Sequence, residues 1–371
     1  MYRSLLTLGI AAVACALPNG FDYTSHTSGC REVQIPVQVS VPRFILNTTI
    51  ENDWDATALT LALTRRDSGT SSDPLPVAGS TSKAVKSSYT IGATLCGTGR
   101  TTLVLTHGII ESKKYWDPDF LGGDKYSFVK AALAAGYSVL SYDRIGVGTS
   151  SKVNSSTDAQ FQVQGAVLDE LVSYARKTMK AEKVALFGHS YGSYISALSA
   201  SQTEVDALIL TGYSGSFANF APFVAGTGFR IARLQQPYRW GDLDSGYITS
   251  SDLFAETYVY FAAPHFSHDV AEWTYNVASQ PFAIGELPTV LETTIDYSKI
   301  KAPVLLLQGQ FDVSACGGDC VGLINTTATL FNNSKRVQYV DDLPAGHDLN
   351  LHYIAPKAFQ MVFDFLKKER V

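Results

Sequence analysis

The sequence predicts an α/β protein built on a doubly wound, mostly parallel sheet, with a mostly helical cap insertion and an N-terminal extension. Three observations carry that expectation. From about residue 89 onward, short β-branched and apolar runs alternate with helical stretches, the pattern of parallel strands joined by right-handed crossovers. Several of the runs, such as 101–106 (TTLVLT) and 183–187 (KVALF), are continuously apolar, as expected of strands covered on both faces. Between residues 213 and 299 the alternation stops, and aromatic residues crowd a stretch with no clean strand signal.

The elements follow in order. Residues 33–41 (VQIPVQVSV) alternate and predict a strand with one covered face. Residues 64–88 are rich in Ser, Thr, Gly, Pro and Asp and predict a surface loop, in which Arg65-Arg66 reads as two solvated arginines rather than a processing site. A strand is expected over 89–96, then the buried strand 101–106. A helix over 126–135 ends at Gly136, and a strand follows over 137–142. A long amphipathic helix covers 158–180, the strand 183–187 comes next, and a small-residue helix covers 191–201. Strands are expected over 206–210, 303–307 and 336–340, and a helix over 355–368 closes the chain. The chain thus divides into a leader (1–16), an N-terminal extension (17–88), a first core half (89–212), the cap (213–299) and a second core half (300–371).

The bulk composition limits the partners. Of 371 residues, 46% are apolar and 17% charged, enough to bury a large core. The net charge is −5 with no Lys/Arg cluster, which speaks against a nucleic-acid groove. Arg3, an apolar stretch over 5–13 and Ala14-Cys15-Ala16 read as a secretory leader cleaved after Ala16; the stretch is too short for a stable membrane anchor. Four cysteines then remain, as suits a secreted chain with two disulfides. Cys316 and Cys320 flank glycines and are expected to pair, leaving Cys30 with Cys96. Asn47, Asn154, Asn325 and Asn332 stand in Asn-x-Ser/Thr sequons, glycan acceptors in a eukaryotic secretory pathway.

The sharpest chemical signal is Gly188-His189-Ser190-Tyr191-Gly192, a G-x-S-x-G between a buried strand and a helix. A serine hydroxyl attacks only when exposed and beside a base, and a sharp strand-to-helix turn presents it at the carboxyl edge of the sheet. Ser190 is the expected nucleophile. The strand over 303–307 leads to Asp312, and the strand over 336–340 leads to His347, so both emerge at that same edge. His347 is the expected base and Asp312 the acid that orients it. Asp319 and His352 are the rival acid and base, while Asp341 and Asp342 read as solvated turn residues. His189 is expected to pack or hydrogen-bond locally, and His26, His265 and His268 to be structural. The backbone N–H groups of Tyr191 and Ile109 are the expected oxyanion donors, with Gly108 permitting the turn and His107 supporting the loop.

These motifs, in order THGI at 106–109, Trp116, YDRIGVGTS at 142–150, GHSYG, GQFD ending at Asp312 and AGH ending at His347, resemble the α/β-hydrolase superfamily. More narrowly, His107-Gly108 with Tyr115-Trp116-Asp117, Asp143-Arg144-Ile145-Gly146, and Asp312 with Cys316 and Cys320 resemble secreted fungal α/β hydrolases of poorly defined substrate. The resemblance implies the α/β-hydrolase fold and a structural role for Asp143 and Arg144 beneath the site. It covers the chain from about residue 89; the longer segment before it reads as a small extra sheet or subdomain tied down by Cys30–Cys96.

Together these readings predict a secreted serine hydrolase cleaving a carboxylic ester or lactone of a small, hydrophobic, neutral substrate. An amidase or exopeptidase uses the same triad, and it needs a carboxylate pair to hold a free amine. Glu256, Asp269, Glu272 and Glu286 are the candidates, each read as solvated surface. Redirected chemistry, a condensation or cyclisation or simple ligand binding, is the third reading. No cofactor is implied and no metal, since there is no G-x-G-x-x-G after the first strand and there are no metal-spaced histidines. The oligomeric state is left open.

Overall fold

The computed structural model describes residues 27–64 and 75–371. The expected leader with Cys15, His26 and Arg65-Arg66 lie outside the described residues.

Eight strands form the main sheet: β1 (Cys30–Val41), β2 (Val85–Cys96), β3 (Thr101–Thr106), β4 (Ser138–Tyr142), β5 (Lys183–His189), β6 (Ala207–Thr211), β7 (Val304–Gly309) and β8 (Val337–Leu343). Their spatial order is β1-β2-β4-β3-β5-β6-β7-β8. β2 pairs antiparallel with both β1 and β4; all other pairs are parallel. The central strands are covered on both faces, and β3 through β7 are buried along nearly their whole length. That explains their uninterrupted apolar sequence. Helices Phe161–Lys177 and Tyr191–Gln202 pack against each other and on the sheet. Helices Phe128–Ala134 and Ala355–Lys368 form a second pair, with Phe128 edge-on to Phe359.

Most expected elements shift at their ends by a few residues, for local reasons. The helix expected over 126–135 starts at Phe128 because Ser127 caps it, its Oγ accepting Lys130 N at 3.0 Å. The helix expected over 158–180 starts at Phe161 because the Asn154 side chain organises a turn, accepting from Ser156 N and Thr157 N at 3.0 Å.

The larger differences lie outside those helices. The stretch before residue 89 is not a separate subdomain: β1 is the edge strand of the main sheet, in register with β2 from Cys30–Cys96 to Val41–Val85. The extension also contains a helix, Asp53–Thr64, which the sequence reading missed. Asn52 starts it by accepting from Trp54 N at 2.9 Å, and the helix packs on the cap, where Asp53 Oδ1 accepts Ile231 N at 3.2 Å. Val77–Ser80, inside the expected surface loop, pairs with Phe44–Leu46 as a short two-stranded ribbon. The cap is mostly helical but carries a small three-stranded sheet of two- and three-residue strands, Arg230–Ile231, Tyr247–Thr249 and Phe282–Ala283. Strands that short leave no periodicity to read. Asp341 and Asp342 sit on β8, not in a turn.

Both expected disulfides are formed. Cys30–Cys96 joins directly opposed residues of β1 and β2, and Cys316–Cys320 closes the loop after β7. The four sequon asparagines are exposed. Among the described residues no helix is long and apolar enough to cross a membrane.

Candidate active site

The parallel registers bring four strand ends to one edge. Thr106 at the end of β3 lies beside Gly188 of β5, His189 lies beside Thr211 of β6, and Thr211 beside Leu307 of β7. Ser190 follows at the turn into helix Tyr191–Gln202 with φ 52° and ψ −125°, a left-handed conformation that a non-glycine residue adopts only when its surroundings enforce it. They do so here. Ser190 N donates to Thr211 O at 2.9 Å, and Ser193 N closes the turn on Ser190 O at 2.8 Å. The flanking glycines are required by close approach. A Cβ on Gly188 would lie 2.5 Å from Gly192 O, and one on Gly192 would collide with the Thr106 carbonyl.

Ser190 Oγ lies 2.7 Å from His347 Nε2, and His347 Nδ1 lies 2.7 Å from Asp312 Oδ2. The three residues come from three loops at the carboxyl edge. Asp312 is buried and caps the short helix Val313–Cys316, its Oδ1 accepting Ala315 N at 2.7 Å. Gln308 Nε2 donates to the same Oδ2 that faces His347. Asp319, the rival acid, is exposed and accepts from Val321 N two residues away, at 3.1 Å. His352, the rival base, is buried and holds the loop that carries His347. Its Nε2 accepts Gly346 N at 3.0 Å and Ala262 N at 3.1 Å, and its Nδ1 meets Asp348 O at 2.8 Å. Burial lowers its pKa to about 4, so at neutral pH it is an uncharged acceptor.

The loop after β3 faces the serine. Ile109 and Tyr191 line the cavity in front of Ser190 and His347. His107 accepts Arg144 N on Nε2 at 3.1 Å, so Nδ1 carries the proton and donates to Gly108 O at 2.9 Å. Burial, reinforced by Arg144, holds its pKa well below the usual histidine range. Arg144 is fully buried. It donates to Gly108 O at 3.1 Å, to Gln164 Oε1 at 2.7 Å and to Glu286 Oε2 at 2.6 Å, and its guanidinium lies 4.9 Å from the centre of the Tyr191 ring. Asp143 accepts Lys113 N and Thr149 N, each at 2.9 Å.

Two carboxylates read as surface are not. Glu286 is 0% exposed because it neutralises Arg144, and Glu256 is 1% exposed, hydrogen-bonded to Ser250 and Ser279 inside the cap. Burial pushes Glu256 up to about 7. Asp269 and Glu272 are exposed, as expected.

The sequence reading missed several supports. Tyr260, at the end of a cap helix, stacks on His347 with its ring 5.7 Å away and donates through its hydroxyl to Ile109 O at 2.5 Å. Its place inside an aromatic-rich segment gave no signal. His189 is packed and hydrogen-bonded as expected, its Nδ1 meeting Thr211 Oγ1 on the neighbouring strand at 3.0 Å, but the ring also reaches groups the sequence did not point to. Its Nε2 faces two distant carboxylates, Glu111 Oε1 at 3.1 Å and Asp348 Oδ1 at 3.4 Å. By residue type and spacing these three could hold a metal ion, their ligand atoms lying within 4.8 Å of one another.

The cavity beside Ser190 is small, about 40 Å³. Its walls are Tyr194, Phe217, Phe220, Phe223, Leu287 and Val290, with no acidic or basic side chain among its lining residues except His347.

Residues 103–359 match the model of the alpha/beta hydrolase family. Similar solved structures include a thermophilic esterase from Thermogutta terrifontis, 17% identical with a TM-score of 0.54 over 76% of this chain and 95% of that one. They also include a monoacylglycerol lipase from Paleococcus ferrophilus, 17% identical with a TM-score of 0.53 over 75% and 99% of the two chains. An esterase from Exiguobacterium antarcticum is 17% identical with a TM-score of 0.54 over 75% and 96%. At these identities the likeness is one of fold. No curated protein sequence matches the chain.

Proposed function

The chain belongs to the alpha/beta hydrolase family, and we propose that it is a secreted serine esterase or lactonase for small, uncharged, apolar substrates. The observation that carries this reading is the unbroken line Ser190 Oγ, His347 Nε2, His347 Nδ1, Asp312 Oδ2, with 2.7 Å at each contact. His347 takes the Ser190 proton as Oγ attacks the carbonyl carbon, then returns it to the leaving alcohol, and a water repeats the exchange to free the acid. Asp312 holds the Nδ1–H tautomer and stabilises the imidazolium that forms. The N–H groups of Ile109 and Tyr191 receive the developing oxyanion.

The cavity argues for a small acyl group. A volume of about 40 Å³ holds roughly three waters by the same measure, enough for a short acyl chain and not for a long fatty one. The aromatic walls select apolar groups. The peptidase reading needs a carboxylate to hold an amine, but Glu286 is committed to Arg144, Glu256 to two serines, and no acid lines the cavity. The leader and the two disulfides support an extracellular site of action.

The test is labelling by a fluorophosphonate probe, with Ser190→Ala alongside, followed by a series of p-nitrophenyl esters. Labelling lost in the variant, with acetate or butyrate the best substrate, is the expected result. A chain that neither labels nor turns over any ester would refute the reading and leave redirected chemistry in its place.

A further inference from the structure

Four buried polar atoms converge beside Ser190 without a hydrogen-bond partner: Glu111 Oε1, His189 Nε2 and both carboxylate oxygens of Asp348. The three residues are 3%, 0% and 0% exposed. His189 Nε2 lies 3.1 Å from Glu111 Oε1 and 3.4 Å from Asp348 Oδ1, and one ligand atom from each side chain lies within 4.8 Å of the other two. Neither short contact is a hydrogen bond, because neither oxygen stands where an N–H on that ring nitrogen would point.

The surroundings hold each side chain in a ligand's pose. Thr211 Oγ1 donates its one hydrogen to Gly188 O at 3.3 Å, so His189 Nδ1, 3.0 Å from that hydroxyl, is the donor to it. A metal-binding histidine is oriented in this way, with one nitrogen donating to an outer partner and the other turned to the ion. Glu111 is held likewise: its Oε2 accepts Gly108 N at 2.6 Å, which leaves Oε1 free. Asp348 is fixed through its backbone, its N–H donating to Tyr260 O at 2.9 Å. The Tyr115 ring stacks on His189 at 4.4 Å and covers that face of the imidazole.

We propose that Glu111, His189 and Asp348 bind a structural divalent cation, zinc being the ion their donor set fits best. Nitrogen and oxygen ligands about 2.0–2.1 Å from a tetrahedral zinc stand roughly 3.3–3.4 Å apart, which is the spacing on either side of His189 Nε2. One imidazole with two carboxylates suits zinc, whereas magnesium and calcium favour shells of oxygen alone. A water in the same place has only two hydrogens to donate and leaves acceptors unmet; a cation meets all of them. Charge agrees with this. Two carboxylates carry negative charge into a dry interior, where uncompensated charge is costly, and a divalent ion cancels it. Glu111 follows Ile109 by two positions, His189 immediately precedes Ser190, and Asp348 immediately follows His347. The ion therefore pins three loops of the proposed site at once. Because all three ligands are buried, it is taken up as the chain folds and acts by holding those loops. The metal site stands apart from the esterase reading and does not depend on it.

The test measures metal on the full-length chain, produced without a polyhistidine tag in zinc-supplemented medium and passed over a chelating resin. Elemental analysis is expected to find about one zinc per chain, and Ser190→Ala is expected to keep it. His189→Gln and Asp348→Asn each remove ligands and are expected to lower the metal content at least about tenfold. Another divalent first-row ion in zinc's place upholds the site. A folded wild-type chain with less than about a tenth of an equivalent of any such metal overturns it. Should the variants fail to fold, wild-type crystals decide. An anomalous peak at the absorption edge of the metal, between the three side chains, is expected; a water there, or a peak only elsewhere, overturns the site. Wild-type protein unfolded in guanidinium and refolded with EDTA is expected to melt at a lower temperature than protein refolded with zinc, and equal melting temperatures overturn the structural role. A chain that holds the ion but turns over no ester defeats the esterase reading alone, and an active esterase without the ion defeats the metal site alone.

Discussion

Gln308 Nε2 donates to Oδ2 of Asp312, the same oxygen that meets His347 Nδ1, while Gln308 Oε1 accepts Tyr213 N at 2.9 Å. A single amide thus ties the proposed acid to the strand edge from which β6 leads into the cap. With Ala315 N on Oδ1, the buried carboxylate has a donor on each oxygen besides the base.

Substitutions at this carboxylate should therefore grade. Asp312→Asn is expected to lower kcat by roughly 10⁴-fold, because the amide favours the wrong His347 tautomer. Gln308→Leu removes one donor and keeps the acid; a loss of about threefold to tenfold is expected. Asp319→Asn should stay near wild type. Steady-state kinetics on p-nitrophenyl butyrate separate the three, and an inactive Asp319→Asn beside an active Asp312→Asn would reverse the assignment of the acid.

The aromatic wall sets substrate size. Phe220 lies between Phe217 and Phe223, with ring centres 5.7 and 5.2 Å away, and all three line the cavity. Phe220→Ala should raise kcat/KM on octanoate relative to butyrate by at least about tenfold, the scale that a few buried methylenes are worth. An unchanged chain-length profile would mean that the acyl chain lies elsewhere.

Arg144 and Glu286 are each 1% exposed at the side chain. Glu286→Gln leaves the guanidinium buried without its counter-charge, which should cost about 3 kcal/mol of stability. Because Arg144 also holds Gly108 O and faces the Tyr191 ring, kcat should fall as well. Chemical denaturation and kinetics check the two effects, and a variant as stable as wild type would show the pair to be dispensable.

His352 predicts acid sensitivity. Its folded pKa of about 4 lies below the unfolded value of roughly 6.5, so the unfolded chain binds the extra proton first. The stability it contributes is fully present above about pH 6.5 and is lost as pH falls towards 4, on the order of 3 kcal/mol in all. His352→Gln keeps an acceptor for Gly346 N and Ala262 N and removes the titration. Its melting temperature should fall less steeply between pH 6.5 and 4 than that of wild type; parallel slopes would count against the assignment.

The alternation of buried strands and helices, the small residues of the serine turn and the order of Ser190, Asp312 and His347 along the chain were legible in the sequence. Each depends on local chemistry: apolar runs report burial, glycines report close backbone approach, and a strand end reports where a side chain emerges. The cap sheet was not legible, because strands of two or three residues carry no period. The helix Asp53–Thr64 was not legible either; it packs on the cap, a partner far away in the chain. Nor did sequence show that Glu256 and Glu286 are buried, since a carboxylate looks solvated until its partner is known, and Arg144 stands 142 residues from Glu286. The Glu111–His189–Asp348 cluster has the same origin. Its members belong to three loops that only the folding of the parallel sheet brings to one edge, and long-range electrostatics of that kind exists only once the chain has closed around it.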